Sequence, residues 1–291
     1  MTDPAGEPRT IEQPGETYCY AHPKEPTRLQ CTRCGRPICG RCAIPASVGQ
    51  HCPECVAEAR RNAPKVRSVA ARTAPVVVGL LIVNGAFFVA QQTIPGVTER
   101  LVMDPIAIAT RGEWWRLFTS IVLHSPVQFL HIMFNSLVLW IYGPQLEAVF
   151  GHVRFFGVYL VAGLSGNAAS FALGRCAGSL GASGAIFGIV GALAVFLYRR
   201  RSSQIASQFL SGLMFFVAIN LLFGFMVPRI DNLAHLGGLA GGALLGWGLD
   251  DGSSRPPSVA RQLATFAAVG GAAAGAIAYK TANFGCAGLF G

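Results

Sequence analysis

The chain has 291 residues, of which 52% are hydrophobic and only 13% are charged. Its 23 Lys and Arg and 14 Asp and Glu give a formal net charge of +9, and most of these charges lie in the first 73 residues and in a few short connections. This composition excludes a soluble globular enzyme and indicates a polytopic membrane protein with a polar N-terminal extension. The positive charge therefore relates to membrane topology, and no nucleic-acid partner is expected.

The N-terminal extension is rich in metal-binding residue types. We divide it into a flexible tail (residues 1–16), a module (17–57) and a basic linker (58–74). The module holds seven of the nine cysteines, and together with His22 they form four pairs with two intervening residues: Cys19 with His22, Cys31 with Cys34, Cys39 with Cys42 and Cys52 with Cys55. One tight turn can present both members of such a pair to a tetrahedral metal, so the eight ligands predict two structural zinc ions.

The spacing also suggests how the pairs combine. We expect an interleaved arrangement in which Cys19 and His22 share one zinc with Cys39 and Cys42, while Cys31 and Cys34 share the other with Cys52 and Cys55. His51, beside Cys52, is a spare candidate ligand or a surface histidine. The module resembles a B-box-type zinc finger, a class used mostly for protein contacts, which implies a cytoplasmic protein partner. No pair is left incomplete to hold a water, so zinc catalysis is not expected.

The linker over residues 58–74 is basic. Two interpretations stay open: contact with anionic headgroups, or a solvated tether whose arginines set the topology.

Seven apolar stretches follow, each long enough to approach the roughly 20 residues that a membrane helix needs. None of them contains Lys, Arg, Asp or Glu, and with no water to satisfy the backbone they must be helices. They run over residues 76–94, 127–146, 155–174, 181–198, 205–227, 232–249 and 262–278. The sequence thus predicts an all-α polytopic bundle, with six helices in a core over residues 75–250 and a seventh helix with a tail over residues 251–291.

Basic residues in the short connections predict the orientation. Clusters precede the first span, follow the fourth at Arg199–Arg201, and lie between the sixth and seventh at Arg255 and Arg261. If the spans alternate, all three clusters lie on one side, and positive residues favour the cytoplasm. We therefore expect a multi-pass protein of the cell membrane with a cytoplasmic N-terminus. Ser183 would then open the fourth span from the outer side.

Two reactive polar residues stand out within these spans. Ser183 begins the fourth span, and His235 lies in the sixth. Reactive polar groups are costly to bury at this depth, so each is a candidate functional residue, and together they match a nucleophile and its base. Glycines follow both residues at helical spacing, which lets two helix backbones approach closely and bring the pair together.

Several motifs, taken together, resemble the rhomboid intramembrane serine proteases over residues 74–250. The nucleophile motif is Gly181-Ala182-Ser183-Gly184, and the second span has His131 and Asn135 four residues apart. The sixth span carries Ala234-His235-Leu236-Gly237-Gly238. Trp115-Arg116 in the first outer loop matches the Trp-Arg motif of the family, and the seventh span resembles the extra C-terminal helix of some members.

The resemblance implies a role for each of these residues. Ser183 would be the nucleophile and His235 the general base, in a dyad without an acidic third member. His131, Asn135 and the backbone N–H of Ser183 would stabilise the oxyanion. Phe187, one turn after the serine, would stack on the histidine where many members have Tyr. The remaining support residues would be Gly181, Gly184 and Gly238.

The implied reaction is hydrolysis of peptide bonds in or near transmembrane segments of membrane proteins through an acyl-enzyme, with no cofactor for catalysis. The alternative is a rhomboid-like adaptor that binds transmembrane helices without cleaving them, although such proteins usually lack the serine or the histidine. A transporter would be expected to show inverted repeats or interrupted helices, and we find no internal repeat.

Two cysteines lie outside the module, Cys176 and Cys286. Both would face the outer side, where a disulfide is chemically permitted. We favour two unpaired thiols, because the sequence does not show that the two residues approach each other.

Overall fold

The computed structural model describes residues 17–46, 48–62, 74–174, 176–227, 230–253 and 257–285. The predicted tail, most of the linker, Arg255 and Cys286 lie outside these residues. The chain divides into two compact units, residues 1–66 and 67–291.

The N-terminal unit consists of two small hairpins and a helix. Strands β1 (Tyr18–Cys19) and β2 (His22–Pro26) pair antiparallel, as do β3 (Ile44–Pro45) and β4 (Gln50–His51). Helix α1 spans Pro53–Asn62. The buried apolar side chains are six cysteines and Ile38. A core of this size cannot stabilise the unit by hydrophobic burial alone. A bound metal would have to contribute to the free energy of folding.

The second unit is a helical bundle, and all seven predicted spans are helices. The long helices are α2 (Pro75–Thr93), α6 (Phe129–Phe150), α7 (His152–Leu173), α8 (Ser183–Arg199), α9 (Gln204–Met226), α10 (Asn232–Leu249) and α11 (Val259–Ala282). Within the described residues, four of these, α2, α7, α9 and α11, are long and apolar enough to cross a bilayer by length and composition alone. Together they make this a multi-pass membrane protein.

The predicted spans themselves hold no Lys, Arg, Asp or Glu, but four of the helices extend beyond them to such residues. Helix α6 continues through Glu147, α7 contains Arg154, α8 ends at Arg199, and α11 contains Arg261 and Lys280. Glu147 is buried because its carboxylate accepts hydrogen bonds from the N–H groups of Val76 and Val77, 3.1 and 3.0 Å away. These are orphan donors of the first turn of α2, so the charge caps a helix rather than facing lipid.

Helix α8 lies at the centre of the bundle and packs against α6, α7, α9 and α10. Its closest approach is to α10, and glycine makes that approach possible. A Cβ on Gly238 would lie 1.9 Å from the Gly184 carbonyl oxygen, and a Cβ on Gly242 would lie 2.0 Å from that of Gly188. Both contacts are sterically impossible for any other residue, so the predicted glycine seam joins α8 to α10.

The connection between α2 and α6 folds into short helices that the sequence analysis did not predict. These are α3 (Val97–Leu101), α4 (Pro105–Arg111), α5 (Arg116–Thr119) and a 3-10 turn over Ser120–Val122. The guanidinium of Arg116 organises this loop: it pairs with Glu113 at 2.5 Å and donates to the carbonyl oxygens of Glu99 and Val102. Trp114 and Trp115 stay about half exposed, as suits an interfacial loop.

Candidate active site

Ser183 and His235 come into direct contact. Ser183 is the first residue of α8, and His235 lies in the first turn of α10. The Oγ of Ser183 lies 2.8 Å from the Nε2 of His235. This is the reach that a serine nucleophile and its base require.

The imidazole of His235 is held by stacking rather than by an acid. Its ring lies 4.4 Å from the ring of Phe187, centroid to centroid, with only 9° between the planes. Among the described residues, the Nδ1 atom of His235 has no hydrogen-bond partner. The backbone N–H of His235 donates to the carbonyl oxygen of Asp231, which caps α10 through its side chain. Packing and helix capping therefore orient the histidine.

Gly181 brings a second histidine to the site. Its φ of +138° is unfavourable for any residue with a side chain. A Cβ there would lie 3.0 Å from the Cε1 and Nε2 atoms of His131 and 3.7 Å from the Oγ of Ser183. The imidazole of His131 thus lies against the turn that carries Ser183.

The protonation pattern of His131 follows from one hydrogen bond. The backbone N–H of Ser125 donates to the Nδ1 of His131 at 3.2 Å. Nδ1 must accept this bond, so a neutral ring carries its proton on Nε2, the atom next to Gly181. Sequence reasoning missed Ser125, because a main-chain donor in a loop leaves no residue-type signal.

Asn135 is buried on the same helix, and its side-chain Nδ2 donates to the carbonyl oxygen of His131 at 2.8 Å. One of its two N–H donors is therefore used within α6, and the other remains for a second acceptor.

Backbone hydrogen bonds hold the residues that precede Ser183. Met103 and Ser179 exchange two backbone bonds of 3.1 and 3.0 Å, and the N–H of Gly181 donates to the carbonyl oxygen of Ser120 at 3.0 Å. Asn167 on α7 donates to the Oγ of Ser120. The connection between α2 and α6 thus buttresses the turn before Ser183.

Part of this chain is similar in sequence to known proteins. The Rhomboid domain model matches residues 111–251, which include His131, Asn135, Ser183 and His235. The chain belongs to the rhomboid family. It is 45% identical over 140 residues to rhomboid protease GluP of Bacillus subtilis, covering 47% of this chain and 26% of that one. For the putative rhomboid protease YdcA of the same organism the identity is 38%, covering 46% and 66%.

A plant protein, RHOMBOID-like protein 1 of Arabidopsis thaliana, is 41% identical over 147 residues, which cover 50% of this chain and 37% of its own. The rhomboid chain described here thus spans between about a quarter and two thirds of the length of these relatives. The N-terminal module lies outside the matched segment.

That module brings its candidate ligands together in the two predicted sets. Cys19, His22, Cys39 and Cys42 form one group and Cys31, Cys34, Cys52 and Cys55 the other, with the ligand atoms of each group within 4.8 Å of one another. His51 belongs to neither group of described residues.

The spacing within each group fits a tetrahedral ion. Zinc with Zn–S and Zn–N bonds of about 2.3 and 2.0 Å needs ligand atoms roughly 3.5 to 3.8 Å apart. The Nδ1 of His22 lies 3.7, 3.4 and 3.3 Å from the sulfurs of Cys19, Cys39 and Cys42. In the other group, the sulfurs of Cys34 and Cys52 are 3.7 Å apart.

The thiol pKa values indicate crowded charge that a cation would relieve. Burial acts to raise the pKa of Cys19, but the backbone N–H of Cys39 and the His22 ring lower it to about 6. Cys42 in the same group has its pKa raised to about 11 by burial and by Cys19 and Cys39. A divalent ion would stabilise all of these thiolates at once.

The structure corrects the expectation for the remaining cysteines. Cys176 is disulfide-bonded, so the prediction that both cysteines are unpaired thiols is wrong. Cys286, the pairing candidate, lies outside the described residues.

Proposed function

We propose that this rhomboid chain is an intramembrane serine endopeptidase that hydrolyses peptide bonds in or near transmembrane segments of membrane proteins. The observation that carries the proposal is the 2.8 Å contact between the Oγ of Ser183 and the Nε2 of His235. The names of two relatives, rhomboid proteases GluP and YdcA, support the same reaction class.

In the proposed mechanism His235 acts as general base. Its Nε2 accepts the Ser183 hydroxyl proton as the Oγ attacks the scissile carbonyl, and the imidazolium then gives that proton to the leaving amine. The acyl-enzyme formed on Ser183 is hydrolysed by a water that the same histidine activates. The stack of Phe187 on the imidazole takes the orienting place that an aspartate has in soluble triads.

The negative charge that develops on the carbonyl oxygen needs donors already in place. The N–H of Ser183 belongs to the first turn of α8, where backbone N–H groups lack intrahelical partners and the helix dipole is positive. The Nε2–H of His131, fixed by the Ser125 bond, is the second donor, and the unused N–H of Asn135 is the third. Each such donor is worth about 2.7 to 4 kcal/mol in soluble proteases.

The proposed substrate reaches this site from the membrane. By the family resemblance, helix α9 would form the lateral gate. Its exposure supports this proposal, because only Leu213, Val217 and Gly224 of its residues are buried. Positive residues at the end of α8 favour the cytoplasm, so the N-terminus is proposed to be cytoplasmic and Ser183 to open toward the outer side of the cell membrane.

We further propose that the N-terminal module, residues 17–57, binds two structural zinc ions and contacts a cytoplasmic protein, and that the core and the seventh helix follow the boundaries predicted above. The fit of both ligand groups to tetrahedral geometry supports zinc. Catalysis needs no metal in this proposal.

A serine-directed fluorophosphonate probe tests the dyad on the full chain in membranes. We expect covalent labelling at Ser183, identified by peptide mass spectrometry, and loss of labelling in Ser183→Ala and His235→Ala. Ser165→Ala, which removes another membrane serine bonded only to the Val161 carbonyl among the described residues, is the matched control and should label normally. Absence of labelling in the wild type would favour the adaptor.

A further inference from the structure

An open groove of about 760 Å³ lies between α7, α10 and α11. Helix α11 touches the bundle beside this groove through Thr265, which faces Gly248, and Phe266, which faces Gly157. Elsewhere its facing residues are mostly alanine, such as Ala268. Side chains this small leave room between the helices that the protein itself does not fill.

The groove is almost wholly apolar except at one end. Its lining runs from Arg261 near the start of α11 to Ala276, fifteen residues later. At 1.5 Å per residue this is about 22 Å, longer than the roughly 15 Å of half a bilayer core. An apolar groove at membrane depth is filled by lipid tails unless protein covers it.

Two guanidinium groups converge at the polar end. Arg261 and Arg199 both donate to the carbonyl oxygen of Trp247, at 3.0 and 3.2 Å. The Arg199 guanidinium also lies over the Trp247 ring, with its Cζ 4.1 Å from the centroid. Within the described part of the chain, the Nε atom of Arg199 is buried without a hydrogen-bond partner.

Among the described residues, the positive charge at this end is only loosely balanced by carboxylates. Asp251 approaches Arg261 only to 3.9 Å, with both side chains more than a third exposed. The neighbouring Asp250 is committed to Arg200 through two hydrogen bonds of 2.8 and 3.0 Å. Two cations therefore share one neutral carbonyl and one loosely placed carboxylate, which is an arrangement suited to an added anion.

We propose that this groove holds one acyl chain of an anionic phospholipid, whose phosphate is bound by Arg199 and Arg261. The ends of α8 and α10 and the start of α11 meet at this membrane surface, so the headgroup lies where the arginines are. The paired guanidinium groups select a phospholipid over an apolar transmembrane helix, which carries no anion at that depth. The lipid takes up the space between α11 and the rest of the bundle. The site is independent of the Ser183 chemistry.

Native mass spectrometry of the full chain, with phosphatidylglycerol or phosphatidylcholine of identical acyl chains, tests the proposal. We expect one phosphatidylglycerol retained per chain, with a preference of about thirtyfold over phosphatidylcholine, the effect of two cationic contacts of about fivefold each with an anionic headgroup. Equal retention of the two lipids would overturn the proposal. So would retention of a second copy of the chain in place of lipid.

Single substitutions test the apolar and the charged parts of the site separately. Ala268→Phe fills the groove and should abolish retention, whereas Ala267→Phe, on the adjacent exposed position outside the lining, should not. Arg261→Gln should reduce the preference for phosphatidylglycerol about fivefold, whereas Lys280→Gln, at the other end of α11, should leave it unchanged. If Ala268→Phe fails to fold, the comparison of Arg261→Gln with Lys280→Gln is sufficient to test the proposal. Unchanged retention in Ala268→Phe, or an unchanged preference in Arg261→Gln, would contradict the proposal.

Discussion

At the scale of single residues, Phe187 holds the His235 imidazole in place of an acid. The two rings are parallel to within 9°, and such stacks contribute about 0.5 to 1.5 kcal/mol beyond burial. Because the side chain of Phe187 is buried, the informative substitutions are those that keep most of its volume.

We predict that Phe187→Leu lowers kcat by about tenfold, since the histidine loses its stacking partner, while Phe187→Tyr stays within about threefold of the wild type. The measurement is kcat on a single-pass substrate together with the probe-labelling rate. An equal loss of kcat in both variants would show that activity does not depend on ring stacking against His235.

His131 owes its proposed role to the hydrogen bond from Ser125, which leaves the ring proton on Nε2 beside the nucleophile. We predict that His131→Ala lowers kcat by about 10² to 10³ with KM little changed, because the donor acts on the oxyanion and not on the bound substrate. Steady-state kinetics in proteoliposomes measures both parameters. A rise in KM with kcat unchanged would place His131 in substrate binding instead.

At the scale of helices, the dyad depends on how closely α8 and α10 approach. A Cβ on Gly238 would lie 1.9 Å from a backbone oxygen that cannot move aside without moving the helix. The serine and the histidine are on different helices, so separating the helices breaks their 2.8 Å contact.

We therefore predict that Gly238→Ala reduces Ser183 labelling by at least about 100-fold and lowers the unfolding temperature. Gly271→Ala, on α11 where a Cβ meets no neighbour within 4 Å, is the control and should change neither. Normal labelling in Gly238→Ala would mean that the helices tolerate wider spacing.

The Glu147 carboxylate links α6 to the first turn of α2. We predict that Glu147→Ala destabilises the bundle by about 1 to 3 kcal/mol, because two backbone N–H groups lose their acceptor. Thermal unfolding in mild detergent measures the change. Gln145→Ala on the same helix, whose side chain bonds only to the Ile141 carbonyl among the described residues, should have little effect.

The sequence was sufficient to predict the seven long helices and to select the polar residues that lie together near Ser183, but not the hydrogen bonds that position them. Long apolar runs leave helix as the only option in lipid, and the polar residues within them stand out by their cost. Glu147 was missed as a helix residue because its charge suggested that the span had ended. Ser125 and the short helices between α2 and α6 were missed because backbone hydrogen bonds depend on tertiary placement rather than on residue type.

At the scale of the whole molecule, the chain combines a membrane domain with a metal-binding module. We predict two zinc ions per chain by elemental analysis and about one after Cys34→Ala and Cys55→Ala together. Removal of the metal by a chelator should unfold residues 17–57, since their core is mostly cysteine, but leave Ser183 labelling unchanged. Loss of labelling on chelation would instead make the metal part of catalysis.

Ser183 and His235 are proposed to catalyse the cleavage of membrane proteins, and proteolysis of a model single-pass substrate by the full chain in liposomes measures this activity. We expect cleavage in or beside the substrate's transmembrane segment by the wild type, and loss of that cleavage in Ser183→Ala, with the unfolding temperature retained. Cleavage by Ser183→Ala at the wild-type rate would contradict the proposed function.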